Sequence, residues 1–410
     1  MAASATGSAH PRVPRHHHEL RGALELTAAA VDALTARIGE AHEAIADRVF
    51  GLLGAPAAPV HLAHDAISTT AYASVRAGAK AVGALGGPVL QRLAGSFERP
   101  ALTSGRRTSS MVAAVNGAFG DFVARTGNPL DLGMALRVDG RDVALTTEAL
   151  AAAYPEATGA VVLFVHGLCE DDGSWSFGTG ERSYARLLLE HGLTATYLRY
   201  NSGVRVPVNG AALDALLDGL VAAWPVPLTR LVLVGHSMGG LLARSACAQG
   251  SDRGAAWVPL VRQCAYLGTP HLGAPLEQVT ERAVRLLGRL PETRPMAVGL
   301  TARAAGVKDL RHGSLLAGDT PDREPEDVPL LATATHHAIG ATLTRDPEHR
   351  VARALGDLLV VPTSAHGNDP RATRTPFALT DAALLPGRHH FHLLNDPAVG
   401  AHLAGWLGAT

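Results

Sequence analysis

Residues 231–246 read LVLVGHSMGGLLARSA, an apolar run broken by Gly235-His236-Ser237-Met238-Gly239 and resumed as a leucine- and alanine-rich stretch. A serine so placed, between glycines where a buried strand turns into a helix, can be held out of the backbone as a nucleophile. Gly235 and Gly239 carry no β-carbon, so the turn can tighten and the helix can approach the strand. The N-terminus of that helix favours negative charge developing near Ser237. The competing reading is a tight turn without chemistry, and the rest of the chain has to decide.

A serine nucleophile needs a base, an acid that orients the base, and donors for an oxyanion. LFVHGL (163–168) ends a strand at His166-Gly167, in a turn that would aim the N–H of Leu168 into the site. The N–H of Met238, the residue after the nucleophile, is the second donor. His166 is read as orienting its loop, because it precedes the serine and the order on such sheets is serine, acid, histidine. Gly167, His236 and Tyr200, the last in RYNSG (199–203) with Asn201, are read as supports of the site. Among 20 histidines, position selects the loop GRHHFHLLND (387–396), just before a final helix from about Pro397. Position alone does not separate His389, His390 and His392. The acid is expected after the next-to-last strands, where Asp357 sits in the glycine turn GDLLVVP (356–362). Asp346 in TRDPEH is its rival. His271 in GTPHLGAP is read as part of a structural turn flanking an acyl pocket.

Several elements must position these residues. Short apolar runs recur at 160–165, 194–200, 230–235, 263–268 and 335–343, and helical patterns at 183–192, 210–224 and 240–250 separate the first four. Strands alternating with helices imply parallel pairing with helices on both faces. The expected fold class is therefore α/β, a mostly parallel sheet covered on both sides over residues 131–410, opening with a hairpin-like stretch at 138–146. Before it, residues 1–20 read as a flexible arm containing the disordered triplet His16–His18, and 21–130 as an N-terminal helical region. Its first helix carries a seven-residue apolar seam at Leu24, Val31, Ile38, Ile45 and Leu52. A second spans about 61–94, broken or kinked by GGP at 86–88, and a third about 107–125. The region is expected to pack on the following domain, with a peripheral membrane contact as the lesser reading. Between 275 and 334 an insertion, with a helix at 276–290, breaks the rhythm and is read as a lid over an apolar cleft.

Composition narrows the partners. The 410 residues are 47% apolar and 18% charged with net charge −1, enough for a large core and without the basic excess of a nucleic-acid binder. Aromatic residues at 4% argue against base-stacking platforms. Cys169, Cys247 and Cys264 are odd in number and far apart, which reads as free thiols in a reducing compartment. No secretory h-region and no uncharged apolar window of about 18 residues is visible, so a cytoplasmic location is expected.

FVHGLCEDDGSW, YLRYNSG, LVLVGHSMGGLLARSA, YLGTPHLGAPLE, GDLLVVPTSAHG and HHFHLLND, in that order, resemble the α/β-hydrolase lipases and esterases, particularly a bacterial branch similar to GPI inositol-deacylases. The resemblance covers about 130–410. It implies the α/β-hydrolase fold, with Ser237 as nucleophile, Asp357 as acid and His390 as base. Two positions depart from the family pattern: Leu358 stands where glycine is usual, and His392 where aspartate is usual. The activity implied is hydrolysis of an acyl or lipid ester through an acyl-enzyme, without metal or organic cofactor. Acyl transfer by the same triad, or a non-catalytic hydrolase-fold interaction protein, are the alternatives. An ordered serine, aspartate and histidine speak against the second.

Overall fold

Valine- and leucine-rich runs without polar alternation become the inner strands of one sheet. The computed structural model describes residues 16–53, 55, 58–93, 102–176, 183–274, 305–319, 327–346, 349–350, 356–368 and 377–408. The inner strands are β3 (Ala160–Val165), β4 (Thr194–Arg199), β5 (Arg230–His236), β6 (Val261–Leu267) and β7 (Thr335–Thr342). With β1 (Ala135–Val138), β2 (Arg141–Val143) and β8 (Asp381–Pro386) they form an eight-stranded sheet in the order β2-β1-β4-β3-β5-β6-β7-β8. β1 pairs antiparallel with both β2 and β4; β3 to β8 pair parallel. The opening hairpin therefore lies a few residues earlier than 138–146, turning at Asp139-Gly140, both with positive φ.

The two-residue period of a strand divides the core between the faces. Val161, Leu163, Val165, Leu231 and Leu233 point to one side, packed with α6 (Val206–Ala223) and α7 (Met238–Asp252). Val162, Phe164, Val232 and Val234 point to the other, with α5 (Tyr184–Leu189) and the C-terminal helix α10 (Pro397–Leu407). Shorter helices are α4 (Thr147–Ala153), α8 (Ala305–Asp309) and α9 (Pro362–Ala365). The register sets Val165 beside Gly235 and Gly235 beside Tyr266, so β3, β5 and β6 end level. The carboxyl ends of parallel strands are where such sheets bind ligands.

Ahead of the sheet come α1 (His16–Leu53), α2 (Ala58–Leu93) and α3 (Arg106–Arg125). α1 begins at His16, so residues 16–20, expected within a flexible arm, are helical. α2 runs through Gly86-Gly87-Pro88 without ending. The foot of α1 docks: Asn128 Nδ2 donates to Gly22 O at 3.0 Å, Leu102 N donates to the Glu19 carboxylate, and Ala23 and Leu26 pack on Val112, Ala113, Leu130 and Leu132. Higher up, α1 and α2 meet through small residues, Gly39 against the Tyr72 ring and Gly83 against Ala28. Of the seven-residue seam, Val31, Ile38 and Ile45 are exposed among the described residues, as are Ile67, Val82 and Leu85 of α2.

α3 packs closely on loops that follow β3 and β4. Gly117 lies against Cys169, and Gly120 against Asn201 and Gly203, so tightly that a β-carbon at 120 would collide with Asn201 Oδ1. Asn201 Nδ2 donates to Gly120 O at 2.9 Å and to Asp131 Oδ1 at 2.8 Å. Ser110 Oγ donates to Asp171 Oδ2 at 3.3 Å.

Of the segment between β6 and β7, the helix expected at 276–290 lies outside the described residues. The described part is tied to the core. Val206 N at the start of α6 donates to Asp309 Oδ2 at 2.8 Å, Arg205 pairs with Asp309 at 2.9 Å, and Ser245 Oγ donates to Leu315 O at 2.6 Å.

Candidate active site

Ser237 caps the strand-to-helix turn with φ 52° and ψ −123°, backbone angles that residues other than glycine rarely adopt. The turn is held on both sides: Ser237 N donates to Leu267 O at 2.8 Å and Gly240 N to Ser237 O at 3.1 Å. Gly239 sits so close to β3 that a β-carbon would strike the carbonyls of Val165 and His166. Met238 is the first residue of α7, so its N–H has no carbonyl four residues back within the helix to bond.

The loop after β3 closes on the serine. A β-carbon at Gly167 would lie 3.0 Å from Ser237 Cβ. His166 is fixed as a neutral ring: Nδ1 donates to Gly167 O at 2.9 Å, and Nε2 accepts from Tyr200 N at 3.4 Å. Burial holds its pKa below the ordinary value, although the Gly167 carbonyl and nearby carboxylates pull the other way. Tyr200 stacks on it at 4.4 Å and donates its hydroxyl to His166 O at 2.9 Å. Both residues thus support the loop.

His390 is buried and reaches Asp357: Nδ1 lies 2.7 Å from Asp357 Oδ2. Asp357 in turn accepts the N–H groups of Leu359 at 3.0 Å and Val360 at 2.9 Å on its other oxygen. His390 N donates to Asp357 O at 3.1 Å, so backbone and side chain fix the same pair. The ring lies against Gly268, next to the Leu267 carbonyl that holds Ser237. Its Nε2 is buried and has no hydrogen-bond partner among the described residues. That nitrogen is the one a base would use. His389 and His392 instead stack on each other at 3.6 Å, and Asp346 is exposed.

Leu358 explains one departure from the family pattern. Its φ is +93°, the conformation that favours glycine, and its side chain is 59% exposed. The backbone keeps the glycine geometry while the side chain pays little back in packing. Leu358→Gly is expected to stabilise the protein by about 1 kcal/mol, read from the denaturant midpoint. A destabilised variant would contradict this.

Sequence reasoning missed Glu170. Its carboxylate, buried beneath the loop after β3, accepts Gly167 N at 2.6 Å and faces His236 Nδ1 at 2.9 Å. The other nitrogen of His236 lies 3.3 Å from His390 O. One buried pair therefore ties the turn after β3, the Ser237 turn and the His390 loop together. Burial alone disfavours the imidazolium, but the charge of Glu170 and its hydrogen bond outweigh it, and His236 titrates above the ordinary histidine value. Burial likewise opposes the carboxylate, but His236 and the Gly167 N–H hold Glu170 below its ordinary value.

A raised histidine stabilises the fold below about pH 6.5 and loses that contribution as pH rises through its folded pKa. A depressed glutamate stabilises above about pH 4.3 and loses it as pH falls through its folded pKa. The pair therefore contributes fully between those values and fades on both sides. Removing one partner of such a pair costs about 3–5 kcal/mol. Glu170→Ala should show that loss near pH 5.5 in chemical denaturation, with a flatter pH profile than the parent. An unchanged profile would show that the pair is not ionised.

His271 is buried against Tyr266 and Phe377, its pKa pushed far down by burial and then by Arg244. It lines a cavity of about 450 Å³ with Arg244, Leu315, Leu331, His336 and Phe377, a cavity whose walls include none of Ser237, Asp357 and His390. The three cysteines are free thiols.

Solved structures similar to this one include the mature Bacillus licheniformis lipase BlEst2, at 19% identity and TM-score 0.40 over 60% of this chain and 91% of that one. The Pyrococcus furiosus esterase Pf2001 has 14% identity and TM-score 0.35, over 61% and 83% of the two chains. A Pyrobaculum calidifontis esterase has 17% identity and TM-score 0.35, over 61% and 75%. Among curated protein sequences none matches. The sequence profile of the Alpha/beta hydrolase family matches residues 162–402, more than half the chain, from within β3 to within α10, a span that includes Ser237, Asp357 and His390. With that span and this sheet, the chain belongs to the alpha/beta hydrolase family and has its fold.

Proposed function

We propose that the protein is a serine carboxylic-ester hydrolase of the esterase or lipase type. The observation that carries this is the buried Asp357–His390 pair at 2.7 Å, with His390 Nε2 without a partner among the described residues and lying near the strained turn of Ser237. Ser237 Oγ attacks the ester carbonyl and forms the C–O bond while Nε2 of His390 takes its proton. The N–H groups of Leu168 and Met238 hold the oxyanion. Collapse of the tetrahedral intermediate breaks the bond to the alcohol, which leaves with the proton from His390. Water then attacks the acyl-enzyme carbonyl, giving a proton to Nε2; collapse of this second intermediate breaks the bond to Ser237 Oγ, which takes the proton back from His390 as the acid departs. Asp357 keeps the imidazole in the tautomer whose Nε2 is free to accept. The sequence resemblance to GPI inositol-deacylase-like lipases favours an acyl or lipid ester as substrate.

Labelling with a fluorophosphonate, followed by a chain-length series of p-nitrophenyl esters, tests this reading. The expected result is one label on Ser237 and turnover that varies with acyl length. A protein that neither labels at Ser237 nor hydrolyses any ester would overturn it.

A further inference from the structure

Several histidines that the chemistry of Ser237 leaves unused gather at the closed end of the α1–α2 hairpin. Asp47 on α1 faces His61 and Asp65, which lie four residues apart on one face of α2. His61 Nε2 is 3.2 Å from Asp47 Oδ1 and 3.2 Å from Asp65 Oδ2. All three donor atoms lie within 4.8 Å of one another. Metal–ligand bonds of about 2.0–2.1 Å in a tetrahedron place donors about 3.3–3.4 Å apart, close to the two separations of His61 Nε2 from the carboxylates.

Two neighbours fix the donors. Phe50 stacks on the His61 ring with centroids 4.4 Å apart. His64 Nδ1 holds Asp65 by Oδ1 at 3.1 Å, which leaves Oδ2 turned to His61. A second group orienting a ligating carboxylate is a common feature of metal sites. The simplest alternative is an imidazolium bridging two carboxylates. Such a ring would aim its N–H along one of the N–O lines, yet Nε2 is shielded from water and has no hydrogen-bond partner of acceptable geometry among the described residues.

We propose that Asp47, His61 and Asp65 bind a divalent transition-metal ion, of the zinc class, that ties α1 to α2. One imidazole and two carboxylates suit Zn(II) with a fourth position for water, whereas Mg(II) and Ca(II) prefer oxygen donors alone. An ion there bridges α1 and α2 near the Phe50–His61 stack. It acts independently of Ser237.

The test uses full-length protein stripped with chelator and titrated with Co(II), whose visible absorption is intense when four-coordinate. One Co(II) per chain, displaced by Zn(II), and a raised melting temperature on binding are expected. His61→Ala and Asp65→Asn should each weaken binding at least tenfold. A variant with His16, His17 and His18 changed to alanine should bind as the parent does. If His61→Ala loses helix by circular dichroism, Asp65→Asn, which keeps shape, decides. The proposal is overturned if the parent binds no Co(II) at micromolar concentration, which leaves only the imidazolium bridge. It is equally overturned if the His16–His18 variant loses binding while both hairpin variants keep it.

Discussion

Replacing Ser237 with alanine is expected to lower ester turnover by roughly 10⁴–10⁶-fold, with the thermal midpoint within a few degrees of the parent. The side chain loses only a hydroxyl, and the turn is held by backbone bonds that alanine keeps, Ser237 N to Leu267 O and Gly240 N to Ser237 O. The strain stays too, because alanine at φ 52° is no better accommodated than serine. Ser237→Gly separates the two effects. Glycine adopts these angles freely, and relief of a strain of about 1–3 kcal/mol exceeds its entropic cost of about 0.5–1 kcal/mol. This variant should be as inactive as alanine and more stable than the parent. Assays on p-nitrophenyl esters with parallel denaturation curves check both points. Near-parent turnover in either variant would sink Ser237 as the nucleophile.

The second large effect is expected at the pair behind the serine. Asp357 receives the N–H groups of Leu359 and Val360 on Oδ1 and faces His390 Nδ1 with Oδ2. In Asp357→Asn the amide NH₂ cannot turn toward two backbone donors, so it must face His390. That forces Nδ1 to accept and moves the ring proton to Nε2, where it blocks proton abstraction from Ser237. Loss of about 10⁴ in turnover follows, with His390→Ala at least as severe. Adding either change to Ser237→Ala should cost little more, since the three act as a unit. Asp346→Asn serves as the control, and an Asp346 variant more damaging than Asp357→Asn would reassign the acid.

The inner strands and the serine turn were legible because unbroken apolar runs such as AVVLFV and RLVLVG have few other places to go than between two layers of helices. The edge strand β8 was not. DAALLP is short and half-buried, pairs with β7 on one side only, and ends in proline. His390 could be placed in its loop from position, but its distinction from His389 and His392 depends on which ring turns inward. Glu170 carries no motif: its meaning comes from His236, 66 residues later, and from burial that a Glu-Asp-Asp run in a loop does not advertise. The apolar seam of α1 shows the complementary limit. A seven-residue period fixes which residues share a face, but not what the face meets, and here Val31, Ile38 and Ile45 are exposed among the described residues.

The docking of α3 bears on where the chain can be cut. By motif, the hydrolase-like part begins near residue 131, yet Gly120 O accepts from Asn201 and Gly117 packs on Cys169 in the loop after β3. A fragment starting at Asp131 would leave buried polar groups without partners, at about 1–3 kcal/mol each. A fragment starting at Arg106 keeps them. The shorter piece should be poorly soluble and the longer one active, as expression and ester turnover would show; equal behaviour of the two would mean that α3 is dispensable. The smallest excisable unit thus includes a helix that no hydrolase motif marks, and the foot of α1 is joined to that unit through Gly22, Ala23 and Leu26.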